Sequence, residues 1–96
     1  MMVLVCYDVE TVQPGGQKRL VRIARICKNY GQRVQNSVFE CKLAPDQWEQ
    51  LKAQLIKIYK SEKDSLRFYY LGANWKNRVE HHGAKKTYDP DGTLLV

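Results

Sequence analysis

The sequence predicts an α/β chain folded as an α+β sandwich, with two helices laid on one face of an antiparallel sheet. Three observations carry this: an apolar run at the start, two later segments with helical apolar spacing, and segments rich in β-branched and aromatic residues between and after them. At 96 residues the chain holds one domain, and a core of this size is marginal. Aliphatic and aromatic residues make up 44% and charged residues 27%, the mixture of a globular protein rather than a disordered one. A chain this short gains stability by burying apolar surface against a copy of itself, so dimerisation is expected.

Met2 to Tyr7 is a continuous apolar run that stops at Asp8, as a buried strand does where it emerges from a sheet. A turn region from Glu10 to Gln17 follows. Its Pro14-Gly15-Gly16 supplies a fixed φ and then conformational freedom ahead of a helix, and marks a candidate mobile segment. From Lys18 to about Asn29, Leu20, Ile23, Ala24 and Cys27 recur on one helical face. The opposite face carries Lys18, Arg22 and Arg25, with Lys28 at its margin. Gln32 to Leu43 reads as strand, bent near Asn36-Ser37 into two short pieces. Pro45 opens a second helix, with Asp46 and Glu49 near its positive end and an apolar stripe of Trp48, Leu51, Leu55, Ile58 and Tyr59. Ser65 to Leu71 is the next strand, ended at Gly72-Ala73-Asn74, and weaker strand signals cover Arg78 to His82 and Thr93 to Val96. Strands alternating with two amphipathic helices in this order describe a ferredoxin-like sandwich whose second sheet face needs a cover.

Sixteen Lys and Arg against ten Asp and Glu give a net charge of +6 and a pI near 9.3, which favours polyanionic partners. The excess is concentrated: between Lys18 and Arg33 there are six basic residues and no acid. Cys6, Cys27 and Cys41 show no metal-ligand or redox spacing and fall in apolar segments, so they read as buried thiols. The apolar start lacks a basic leader and is shorter than a membrane span, which predicts a cytoplasmic protein without a membrane partner.

Taken in order, the apolar strand ending in Tyr7-Asp8, then Lys18-Arg19-Leu20, then Gly31 to Glu40 with its Arg33-Val-Gln-Asn-Ser-Val-Phe39 core, then Asp64-Ser-Leu-Arg67, resemble the second core CRISPR-associated protein family. The resemblance runs over nearly the whole chain. It implies a small ferredoxin-like endonuclease of CRISPR adaptation, a homodimer with its two sheets facing each other and the C-terminal strand, here Thr93 to Val96, added to the partner's sheet. It further implies association with the CRISPR integrase, and Mg²⁺-dependent cleavage of RNA or double-stranded DNA. The other function it leaves open is a non-catalytic dimer that bridges integrase copies and holds DNA by its backbone.

Hydrolysis of a phosphodiester needs charge stabilisation at phosphorus and an activated water, both of which Mg²⁺ supplies through hard oxygen ligands. Asp8 matches the family's metal-binding aspartate, and a two-fold axis would bring a second Asp8 nearby; the plain alternative is a strand-end carboxylate capping a turn or pairing with Lys18. Tyr7 reads equally as a core aromatic and as a substrate-positioning group. Lys18, Arg19 and Arg22 are candidates for backbone phosphate contact, against the alternative of an ordinary solvated helix face. Arg33 suits a phosphate bidentately, although pairing with Glu40 or Asp8 would equally explain it. Ser37 matches a position near the dimeric cleft. Neighbouring His81 and His82 would point to opposite sides of a strand and are left outside the site.

Overall fold

The computed structural model of the chain describes residues 1–83. In chain order these form β1 (Met2–Asp8), α1 (Gly16–Tyr30), β2 (Gln32–Gln35), β3 (Val38–Lys42), α2 (Pro45–Ile58), β4 (Ser65–Gly72) and a short 3₁₀ turn (Trp75–Arg78). The sheet order is β2-β3-β1-β4 and every pairing is antiparallel. This is the ferredoxin-like arrangement expected from the sequence, with β1 as a central strand.

From Val3 onward the alternation of β1 divides the sheet. Val3, Val5 and Tyr7 are buried and join a core with Ile23, Cys27, Phe39, Cys41, Trp48, Leu51 and Leu55, so both helices cover one face. Leu4, Cys6 and Asp8 point to the other face, beside their cross-strand partners Glu40, Val38 and Ser65. Among the described residues no helix covers that second face; Glu40 is buried on it, Leu4, Cys6 and Val38 are half-buried and Tyr69 is exposed. Trp48 meets Phe68 edge-on at 4.8 Å and Tyr70 at 5.8 Å, which fixes α2 over β4.

The helix ends follow local chemistry. Gly15 caps α1 in the left-handed region at φ 90°, where a side chain is strained. Pro45 opens α2, and Gln47 Oε1 accepts the Ala44 N–H at 2.9 Å. Leu43 is tied to the chain start, since its carbonyl accepts the Met1 ammonium at 2.7 Å. The bend expected near Asn36-Ser37 is the β2–β3 turn, and the Ser37 carbonyl accepts the Tyr7 N–H at 3.1 Å.

One expected strand is absent. Residues 78–82 carry none, because Gly72 turns the chain at φ 76° and Arg78 Nη1 donates to the Leu71 carbonyl at 2.8 Å, folding the segment back on the end of β4. The expected strand from Thr93 to Val96 lies outside the described residues. No helix among the described residues is long and apolar enough to cross a membrane.

Cys27 and Cys41 are fully buried, and burial pushes both thiols up to about 12. Both are therefore expected to escape alkylation by iodoacetamide in the native protein at pH 8 and to react once guanidinium unfolds it. Mass spectrometry of the modified cysteines checks this, and native labelling at either position would contradict the packing.

Candidate nucleic-acid and metal site

Asp8 sits at the C-terminal end of β1 with its carboxylate on the face that no helix covers, and Ser65, its partner in the β4 register, stands opposite. Arg67 lies one pair further along the same face and donates to the Tyr69 hydroxyl at 3.2 Å. Together with Cys6 these residues line an open cleft of about 310 Å³. Ser65 and Arg67 stand in the sequence only within the Asp64-Ser-Leu-Arg67 segment and not as site residues; the β1–β4 register is the signal that sets them on the face of Asp8.

Tyr7 points the other way. It is 5% exposed, stacks on Phe39 at 6.2 Å and donates its hydroxyl weakly to the Asn36 carbonyl at 3.4 Å. Burial raises the pKa of its phenol, which Arg33 partly offsets. Tyr7 is thus the core aromatic of the two roles weighed for it, and it shares no face with Asp8. Arg33 stands over the Phe39 ring at 5.2 Å on the exposed edge strand, away from Asp8. Ser37 is half-buried in the turn held against β1, at the same end of the sheet as Asp8.

Arg19 departs from both readings weighed for it, backbone phosphate contact and a solvated helix face. It is buried, and its guanidinium grips Asp64 with Nε–Oδ2 at 2.6 Å and Nη2–Oδ1 at 2.9 Å. This fork, with further hydrogen bonds from the Lys60 and Glu10 amides, holds the Asp64 carboxyl down to about 2. The turn region expected to be mobile is tied at its start, where Glu10 Oε1 accepts the Val12 and Gln13 amides.

Lys18, Arg22 and Arg25 do face solvent. Lys18 and Arg22 line a groove of about 780 Å³ between the two helices, completed by Gln54, Lys57 and Lys60. Lys57 and Lys60 were not legible as site residues, since each looks like an ordinary surface lysine until α2 packs beside α1. The groove carries four solvent-facing cations, counting Lys18, Arg22, Lys57 and Lys60, and a phosphate backbone is the ligand such a lining suits.

The metal expectation can be tested on the donors present. Among the described residues no three His, Cys, Asp or Glu side chains come together to hold an ion. Asp8 brings one carboxylate, and Ser65 adds a hydroxyl beside it. Mg²⁺ takes one or two protein carboxylates and fills the rest of its octahedron with water and phosphate, so a single carboxylate with a neighbouring hydroxyl fits such an ion.

The chain is a two-layer α+β sandwich with an exposed carboxylate at the end of β1 on its sheet side and a cationic groove on its helix side, a pairing that suits a phosphate-bearing partner. The model of the CRISPR associated protein Cas2 family matches residues 1–79. The CRISPR-associated endoribonuclease Cas2 of Nitratidesulfovibrio vulgaris is 60% identical over 96 residues, covering all of this chain and 94% of that protein. The crystal structure of Streptococcus pyogenes Cas2 at pH 6.5 superposes with a TM-score of 0.75 at 54% identity, over 86% of this chain and all of that one. A chain of a partial Cas6-RT-Cas1–Cas2 complex gives 0.62 at 32% identity, over 83% of this chain and 88% of that one. The chain belongs to the Cas2 family.

Proposed function

We propose that this chain is a CRISPR adaptation nuclease, a homodimer that cleaves phosphodiester bonds of RNA or double-stranded DNA with Mg²⁺ held between the Asp8 carboxylates of two copies. The observation that carries the reading is the position of Asp8: an exposed carboxylate at a strand end, on the sheet face that no helix covers, in an open cleft that Arg67 also lines. The Nitratidesulfovibrio vulgaris relative's name as an endoribonuclease supports it. The half-buried Leu4, Cys6 and Val38 on that face favour burial against a second sheet, which would bring the two carboxylates toward each other. Mg²⁺ supplies charge stabilisation at phosphorus and activation of water. The chain's own part is to present Asp8 on a rigid strand end and to meet a phosphate oxygen with Arg67.

Cleavage of labelled single-stranded RNA and double-stranded DNA by the wild type and by Asp8→Ala, each with Mg²⁺ and with EDTA, tests this. Cleavage that needs Mg²⁺ and drops at least 100-fold in Asp8→Ala is expected. Undiminished cleavage by Asp8→Ala, or indifference to EDTA, removes the nuclease reading.

The cationic groove favours a second role in the same molecule, a DNA-binding scaffold that joins copies of the CRISPR integrase. The likeness to a chain of a Cas1–Cas2 complex supports that partner. Lys18, Arg22, Lys57 and Lys60 would hold backbone phosphates there, with Arg33 and Ser37 contributing at the sheet edge and turn. Binding of a labelled duplex is then expected to weaken steeply with salt, and the slope of log K against log salt to shrink by about one for each of Lys57→Ala and Lys60→Ala. Slopes equal to wild type would exclude the groove as the backbone site.

A further inference from the structure

The most elaborate polar arrangement in the molecule lies just behind Asp8. Asp64 is wholly buried, with no exposed side-chain surface, and accepts four hydrogen bonds. Oδ1 takes the Glu10 amide at 3.0 Å and Arg19 Nη2 at 2.9 Å; Oδ2 takes Arg19 Nε at 2.6 Å and the Lys60 amide at 2.9 Å. Arg19 Nη2 also donates to the Glu10 carbonyl at 3.3 Å. The peptide groups of Glu10 are therefore gripped twice, its N–H by Asp64 and its C=O by Arg19.

The placement of this fork matters more than its strength. Glu10 follows Asp8 by two residues, and Asp64 directly precedes Ser65, the β4 partner of Asp8. Asp8 and Ser65 form the last pair of the β1–β4 ladder. Beyond that pair a strand end would fray, because no further ladder hydrogen bonds hold it. The Arg19–Asp64 fork closes the ladder from outside, tying the chain leaving Asp8 to the chain entering Ser65. It also anchors both to the start of α1 and, through Lys60, to the turn following α2.

We propose that Arg19 and Asp64 are positioning residues that fix the Asp8 carboxylate against Ser65 by clamping the β1 and β4 ends. This rests on Asp8 being the metal ligand proposed above. Neither residue touches substrate or ion; the pair acts through the backbone at Glu10. A lysine at position 19 keeps the charge and loses the planar fork, so it cannot hold Asp64 and the Glu10 carbonyl together. Groups that orient a metal ligand from behind it commonly change metal affinity 10- to 100-fold when replaced.

The test compares ¹⁵N-labelled wild type, Arg19→Lys and Asp8→Asn, with folding confirmed by circular dichroism. Two readouts are taken: amide hydrogen exchange by NMR, and Mn²⁺ titration followed by paramagnetic broadening of signals around Asp8. In Arg19→Lys, exchange at Glu10, Lys60 and Ser65 should quicken at least about tenfold, while Val3 and Val5 exchange as in the wild type. Half-saturating Mn²⁺ should rise about tenfold. Unchanged exchange at Ser65 overturns the proposal, and so does quickened exchange with Mn²⁺ half-saturation unaltered, which would make the pair a stabilising contact alone. Wild-type broadening that survives Asp8→Asn rejects the metal reading instead; the clamp is then upheld or overturned by exchange at Ser65. Should Arg19→Lys fail to fold, Asp64→Glu, which keeps the charge and displaces the carboxylate by one methylene, takes its place with the same expected outcomes.

Discussion

Gly16→Ala is expected to cost about 3 kcal/mol or more and to lower the melting temperature by about 15 °C, close to unfolding a domain of this size at 37 °C. The reason is space. A Cβ on Gly16 would overlap the carbonyl oxygen of Glu10 and stand 2.8 Å from the Cα of Thr11. Those atoms belong to backbone, which cannot swing aside as a long side chain does. To admit the methyl, the start of α1 must lift off the segment leaving β1, and that movement would stretch the hydrogen bonds from Arg19 to Glu10 and Asp64. Thermal melting by circular dichroism measures the effect. Gln17→Ala, at an exposed position one residue on, is the control and should stay within about 0.5 kcal/mol of wild type. Equal melting temperatures for the two variants would mean that the helix start and the loop are not in contact.

Asp64→Asn is expected to show the second largest effect, a loss of about 10 °C at pH 7 that narrows as the solution is acidified. Removing the charge leaves the buried Arg19 guanidinium without its counter-ion, the costly way to break a buried pair. The pH dependence follows from the carboxyl. In the folded chain the Arg19 fork holds Asp64 down to about 2, against an ordinary value of 3.8. Near pH 3 the unfolded chain therefore binds a proton at Asp64 that the folded chain does not, and proton uptake favours unfolding. The stabilisation is complete above about pH 5 and disappears as pH falls from about 4 to 2. Melting curves of both proteins from pH 7 to 2.5 should converge at the acid end. Glu40 acts with the opposite sign: burial raises its carboxyl, so its contribution favours the fold at low pH and fades as pH rises, and it is common to both proteins. A constant gap across the range would show that Asp64 is not ionised in its pair.

The elements that rest on local pattern were legible in the sequence. The apolar run into Asp8 is β1, the helical spacing of Ile23 and Cys27 is the inner face of α1, and Trp48, Leu51 and Leu55 line the inner face of α2. The bend at Asn36-Ser37 is the hairpin between β2 and β3. What escaped depended on residues far apart in the chain. Arg19 looks like its neighbour Lys18, and only Asp64, forty-five positions away, turns it inward. Lys57 and Lys60 become a site only across the groove from Lys18 and Arg22. The absent strand at 78–82 was lost to a tertiary contact, the Arg78 guanidinium reaching back to Leu71. Tyr7 differs from these, because period-two alternation alone sets it opposite Asp8, so the two neighbours belong to two faces.

That opposition between Tyr7 and Asp8 also acts as a form of proofreading. A slip of one residue in the pairing of β1 would bring Asp8 under the helices and turn Tyr7 out to water. The cost of burying an unpaired carboxylate and stripping Phe39 of its stacking partner would keep such a molecule from folding. Every copy that reaches the native state therefore displays its carboxylate outward, and the packing of the tyrosine certifies the orientation of the aspartate.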